Sequence, residues 1–171
     1  MDSGRSIIQL FELMYKIGIG YDAHRLEKGE KLILGGVDIK NEYGIIGHSD
    51  GDVLVHSIID AILGAAAKGD LGKFFPSSDN QWKNYSSLKM LKIIFNNEIK
   101  DEFIINHIDS VVILQKPNIS GFIEKMSSNI LDNLDLDHSG LSIKATTTDH
   151  LGFIGEGKGI ACQAIATLIK K

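Results

Sequence analysis

The spacing of apolar positions changes several times along the chain, and each change marks an element. Ile17-Gly18-Ile19-Gly20 is a short apolar run that reads as a strand, with close backbone approach at its glycines. Tyr21-Asp22-Ala23-His24 closes the run, and Arg25 to Glu30 is polar and reads as a loop. Lys31-Leu32-Ile33-Leu34 and Val37-Asp38-Ile39 flank Gly35-Gly36, which is the pattern of a hairpin. From about Asp52 to Ala67 the period becomes helical, with Val53, Leu54, Ile58, Ile59, Ile62 and Leu63 on the buried sides. Ser49 or Asp50 is a natural N-cap for that helix, and Lys68-Gly69 ends it. Asp70 to Asp79 reads as an irregular loop whose glycines and hydroxyl residues lie between two acids. Further on, the pattern predicts a helix from Ser86 to Ile99, a long strand from Phe103 to Leu114 and a helix from Ser120 to Leu134. Leu141 to Thr147 reads as a strand, and Gly159 to Lys170 as a closing apolar helix containing Cys162.

This order predicts an α+β two-layer domain over residues 16–171, a mixed β-sheet with helices on one face, of the ferredoxin-like or split β-α-β type. Residues 1–15 read as a dispensable N-terminal extension. The opposite sheet face carries a surplus of apolar residues and predicts oligomerisation.

Composition narrows the picture. At 171 residues the chain can bury about two-thirds of its unfolded surface as one domain. A formal charge of -4 with no cluster of Lys and Arg argues against nucleic-acid binding. No apolar run is long enough for a membrane span. The single Cys suits a reducing compartment, read as bacterial cytoplasm with a plastid-type organelle as the alternative.

The candidate chemistry gathers in two places. His48-Ser49-Asp50-Gly51-Asp52 is followed by His56, one turn into the helix. Taken alone, this run fits a satisfied core histidine as well as a functional one. Upstream, Asp22 and His24 are two apart on a strand and project to the same face. Asp22, His24 and His56 then supply one carboxylate and two imidazoles, a donor set that fits a catalytic zinc with one position open. Asp52 and Asp60 lie one turn either side of His56 and read as partners that steady the metal histidines, with helix capping an equal reading for Asp52. A metal hydrolase and a metal-stabilised binding module are both compatible with the triad alone.

With those residues assembled, the chain resembles the 2-C-methyl-D-erythritol 2,4-cyclodiphosphate synthase family over Lys16 to Lys170. The matching blocks are Gly20-Tyr21-Asp22-Ala23-His24, His48-Ser49-Asp50-Gly51-Asp52 with His56, and Gly64 to Gly72. Lys144-Ala145-Thr146-Thr147-Thr148-Asp149 with Leu151-Gly152-Phe153, and Gly159-Ile160-Ala161, follow in order. The resemblance implies a homotrimer with active sites between subunits, while charge and the lack of a long apolar run predict no nucleic-acid and no membrane partner. It implies that a cytidine diphosphate substrate is cyclised with release of CMP, with Zn2+ on Asp22, His24 and His56. Mg2+ or Mn2+ would sit at Asp149, which stands where Glu is usual. It also implies that His48 and Thr147 stabilise the transition state and that Asp22, His24, His48 and Ser49 contact the substrate. Asp70, Gly72, Phe75, Ser77 and Asp79 would meet the methylerythritol part. Leu114, Pro117, Ile119, Ala145, Thr146 and Thr147 would hold the cytidine. Phe153 and Glu156 would complete the contacts, with Glu156 and Lys158 exchanged in charge relative to many relatives, so that an Arg-type phosphate contact at 156 is lost.

Overall fold

The computed structural model describes residues 15–171, so the expected extension over 1–15 lies outside the described residues except for Tyr15, which opens the first strand. Strand β1 (Tyr15–Lys28) is longer than its apolar run suggests, because it continues through the polar Arg25–Lys28 segment expected to be a loop. That extension is held by β4 (Tyr43–Ile45), a strand not expected from sequence, with Leu26 opposite Ile45. Strands β2 (Leu32–Leu34) and β3 (Val37–Ile39) form the expected hairpin. Helix α1 (Val53–Ala65) follows, then a single turn α2 (Leu71–Phe74) inside the segment read as irregular. Helix α3 (Ser87–Ile94) continues as a π-helical turn to Ile99, and β5 (Phe103–Ile113) runs next. Helix α4 (Ile123–Leu131), β6 (Leu141–Thr146), the short α5 (Gly152–Gly155) and β7 (Gly159–Lys170) complete the order.

The last element corrects the sequence expectation, for Gly159–Lys170 is a strand and not a helix. It lies in the middle of the five-stranded sheet, ordered β4-β1-β7-β5-β6, and is antiparallel to both neighbours. Ala-rich composition favours a helix, but the segment alternates with period two. Cys162, Ala164, Ala166 and Leu168 are buried, whereas Gln163 and Ile165 face out. Burial pushes the Cys162 thiol up to about 12, which leaves it unreactive as a small core residue.

Strands β1 and β5 run the same way with β7 between them, and α1 connects them, which makes a split β-α-β unit. Strands β5 and β6 pair in parallel through α4. Helix α1 packs on β1 and β7, and its contact with β1 is as close as backbones allow. A Cβ on Gly18 would lie 2.0 Å from the Ala61 carbonyl oxygen, and one on Gly20 would lie 2.0 Å from that of Ser57. Only glycine permits this approach. The same alternation that turns Gly18 and Gly20 toward the helix turns Asp22 and His24 that way further along the strand. Ile17, Ile19 and Tyr21 point to the opposite, open face, where Ile17 is 71% and Ile19 62% exposed.

The cap of α1 bears out the capping reading of Asp52 over the alternative caps Ser49 and Asp50. Asp52, not Ser49 or Asp50, is the N-cap, and its Oδ1 accepts from the Val55 N–H at 3.2 Å. The same carboxylate accepts from Gly35 N at 3.0 Å and Gly36 N at 2.8 Å, which locks the β2–β3 turn onto the helix start. Burial raises its pKa to about 6, and the neighbouring Asp50 charge adds to the rise. Asp52 therefore works as a structural clamp. Asp60 accepts from Leu71 N at 2.7 Å and ties α2 to α1. Neither side chain hydrogen-bonds a histidine of the triad, so the expected steadying role falls elsewhere.

Candidate active site and metal centre

Close packing of α1 on β1 brings three side chains from separate elements to one point. Asp22 Oδ2 lies 3.1 Å from His24 Nε2 and 2.9 Å from His56 Nδ1. The donor atoms of the three residues all lie within 4.8 Å of one another. Tetrahedral donors at ~2.0 Å from an ion stand about 3.3 Å apart, so these separations need little change to admit one. Asp22 is partly buried, and burial alone would raise its pKa; hydrogen bonds with His24 and His56 outweigh this and hold the carboxyl well below the usual range. The bond with Asp22 raises the pKa of His24. An anionic carboxylate between two imidazoles is a donor set suited to a divalent cation.

The two histidines turn different nitrogens to the centre. His24 Nδ1 lies 3.0 Å from the Ile46 carbonyl, so that nitrogen donates and Nε2 faces Asp22. His56 presents Nδ1 instead. Beside the triad is a cavity of 210 Å³ lined by His24, His48, Ser49, His56, Leu71, Gly72, Phe75, Ser77, Trp82 and Met90. Five of the residues expected to meet phosphate or polyol therefore share this one cavity with two triad histidines. Leu71, Trp82 and Met90 complete its wall and went unrecognised in the sequence. Trp82 stacks edge-on against Phe75 at 4.8 Å and Tyr85 at 5.2 Å, and a lone Trp in a polar stretch was the available signal.

The remaining predicted residues fall elsewhere. Asp70 caps α2 through the Lys73 N–H at 3.0 Å, and Asp79 caps the turn at Asn80–Trp82 through the Gln81 N–H at 3.0 Å. Leu114, Pro117, Ile119, Ala145, Thr146 and Thr147 line a second cavity of 410 Å³ at the carboxyl ends of β5 and β6. Asp149 follows in an exposed turn with φ of 50°, and its Oδ1 lies 3.3 Å from Thr147 Oγ1. Phe153 is exposed on α5. Glu156 pairs with Lys158 at 2.6 Å in solvent. His48 and Thr147, paired by the resemblance, thus line different cavities of one chain.

Comparison with known proteins gives consistent results. The YgbB family model matches residues 15–169. A 2-C-methyl-D-erythritol 2,4-cyclodiphosphate synthase of Clostridium acetobutylicum is 54% identical over 155 residues, 90% of this chain and 99% of that protein. One from Clostridium botulinum is 49% identical over 156 residues, 91% of this chain and 99% of its own. Among solved structures, IspF of Plasmodium falciparum in complex with CDP superposes with a TM-score of 0.78 at 37% identity, covering 93% of this chain and 98% of that one. The bifunctional IspDF of Campylobacter jejuni gives 0.86 at 41% identity, and there the match covers 92% of this chain but 42% of the longer protein.

Proposed function

We propose a division of labour in the site from the premise that this chain belongs to the YgbB family, the 2-C-methyl-D-erythritol 2,4-cyclodiphosphate synthases. The protein is a cyclising lyase of the non-mevalonate isoprenoid pathway. It converts 4-diphosphocytidyl-2-C-methyl-D-erythritol 2-phosphate to the 2,4-cyclodiphosphate and CMP. An oxygen of the 2-phosphate bonds to the β-phosphorus, the bond from that phosphorus to the bridging oxygen breaks, and CMP leaves with that oxygen. Because the nucleophile belongs to the substrate, the protein needs no Ser or Cys nucleophile. Its task is to fold a flexible polyanion into reacting geometry, which can supply several kcal/mol.

Zn2+ held by Asp22, His24 and His56, with Mg2+ or Mn2+ held at Asp149, would neutralise phosphate charge and polarise phosphorus–oxygen bonds. His48 and Ser49 orient the phosphates from the cavity rim, and Thr147 offers a hydroxyl from the nucleotide side. Gly72 meets polyol hydroxyls from the cavity wall and Asp70 from the adjoining cap of α2, while Leu71, Phe75, Trp82 and Met90 limit water at the reacting phosphorus and so favour ring closure over hydrolysis. The nucleotide rests on Leu114, Pro117, Ile119, Ala145 and Thr146. Phe153 and Glu156 lie outside both cavities and complete the site across a subunit boundary.

The observation that carries this reading is the separation of the two cavities. One substrate spanning a phosphate half and a nucleotide half is best served when a neighbour's nucleotide cavity meets this chain's triad. The open sheet face with Ile17, Ile19 and Tyr21 supplies the apolar surface for a homotrimer. The bacterial relatives and the single reduced thiol support a cytoplasmic enzyme. Co-expression of His56→Ala with Thr147→Ala tests the shared site. Each variant alone is expected to be nearly inactive, and random mixed trimers to regain about a quarter of wild-type turnover. No recovery in mixed trimers would contradict a site built from two subunits.

A further inference from the structure

His24 is steadied by a backbone carbonyl, but His56 stands on a buried helix and is held by side chains alone. With Nδ1 turned to Asp22, its Nε2 lies on the far side of the ring, 2.8 Å from Ser87 Oγ. Ser87 is fully buried at the start of α3, 31 residues away in sequence. Its hydroxyl donates to Asp50 Oδ1. Asp50 is fixed in turn, because its Oδ2 accepts from the Ser87 N–H at 2.9 Å and its Oδ1 lies 3.3 Å from Asp52 N. Ser86, the N-cap of α3, makes no side-chain capping bond, so Asp50 takes over one of the unpaired N–H groups of that helix. Ser49 Oγ also lies 3.1 Å from His56 Nε2, yet it lines the substrate cavity, where bound phosphate competes for it.

We propose that Ser87, locked by Asp50, is the positioning residue for His56. The imidazole Nε2–H donates to the Ser87 hydroxyl, the hydroxyl donates to the Asp50 carboxylate, and the Nδ1 lone pair is left aimed at the centre. The hydroxyl can accept one bond and donate the other, so a single serine satisfies both neighbours. A histidine ligand whose outer N–H is fixed in this way keeps one tautomer and one ring orientation, and loss of such a partner weakens metal binding ~10–100-fold. This inference rests on the reading of Asp22, His24 and His56 as a metal centre.

Zinc affinity by competition with a chelating indicator, measured on wild type and Ser87→Ala, tests it alongside the ¹⁵N histidine spectrum of the zinc-loaded proteins. Ser87→Ala is expected to bind zinc ~10–100-fold more weakly, with the melting curve of the zinc-free protein little changed. Wild-type His56 is expected to carry a slowly exchanging proton on Nε2, and the variant to exchange it faster. Equal zinc affinity in the two proteins overturns this inference alone. A wild type that takes up no zinc overturns the metal reading, and this inference with it. If Ser87→Ala does not fold, the wild-type spectrum decides, since a His56 proton on Nδ1 overturns the proposal.

Discussion

His56→Ala is expected to lose zinc and turnover together while keeping its fold. The side chain is one of three donors at the centre, and the remaining Asp22 and His24 leave an ion two protein ligands short of a tetrahedral shell. Metal polarisation of a phosphoryl group supplies several kcal/mol, so its removal predicts a fall of about 10³-fold or more in the rate of CMP release. The fold should survive, because Val53, Leu54, Ile58, Ile59, Ile62 and Leu63 still bury the body of α1. The Ser87 hydroxyl loses the bond it accepts from His56 but still donates to Asp50, a cost of about 1 kcal/mol. Atomic absorption, a CMP assay and near-ultraviolet circular dichroism together check this. Turnover within tenfold of wild type would contradict a catalytic centre, and loss of folded structure would favour a structural one.

Gly20→Ala is expected to destabilise the protein strongly and to disturb the triad with it. The new Cβ would sit 2.0 Å from Ser57 O and 2.7 Å from Ala61 N, and both are backbone atoms of α1. No rotamer relieves a backbone clash, so helix and strand must part. The atom struck first belongs to the residue after His56, and the displacement therefore opens the triad as well as the core. An effect above ~4 kcal/mol is expected, which lowers the melting temperature by roughly 10 °C or more for a chain of this size. Gly121→Ala is the control, since its Cβ would meet nothing within 4 Å. Comparable melting of the two variants would contradict the account of how α1 is seated.

The parts of the fold legible in sequence are those set by local spacing. The β2–β3 hairpin, α1, α3 and β5 follow from runs whose period leaves little choice. The misread of β7 has a physical cause: Ala164 and Ala166 are small because α1 presses on the sheet there, and small residues imitate helix composition. The outward Ile165, Thr167 and Ile169, all β-branched, carried the strand signal. The triad was legible because Asp22 and His24 share a strand face and His56 lies early on the next helix. The bond between Asp50 and Ser87 was not, since it spans 37 residues and depends on where α3 docks. Asp52 shows the converse case: its place beside His56 in sequence suggested a link to the metal, whereas it clamps a glycine turn.

This triad and its cavities are expected to close a ring on the substrate rather than hydrolyse it. The most direct test is ³¹P NMR of zinc-loaded protein with the cytidyl substrate and Mg2+. Cyclic diphosphate signals are expected to rise in step with CMP, with no linear phosphate. Linear phosphates without a cyclic product would contradict ring closure and identify a metal phosphohydrolase on the same scaffold.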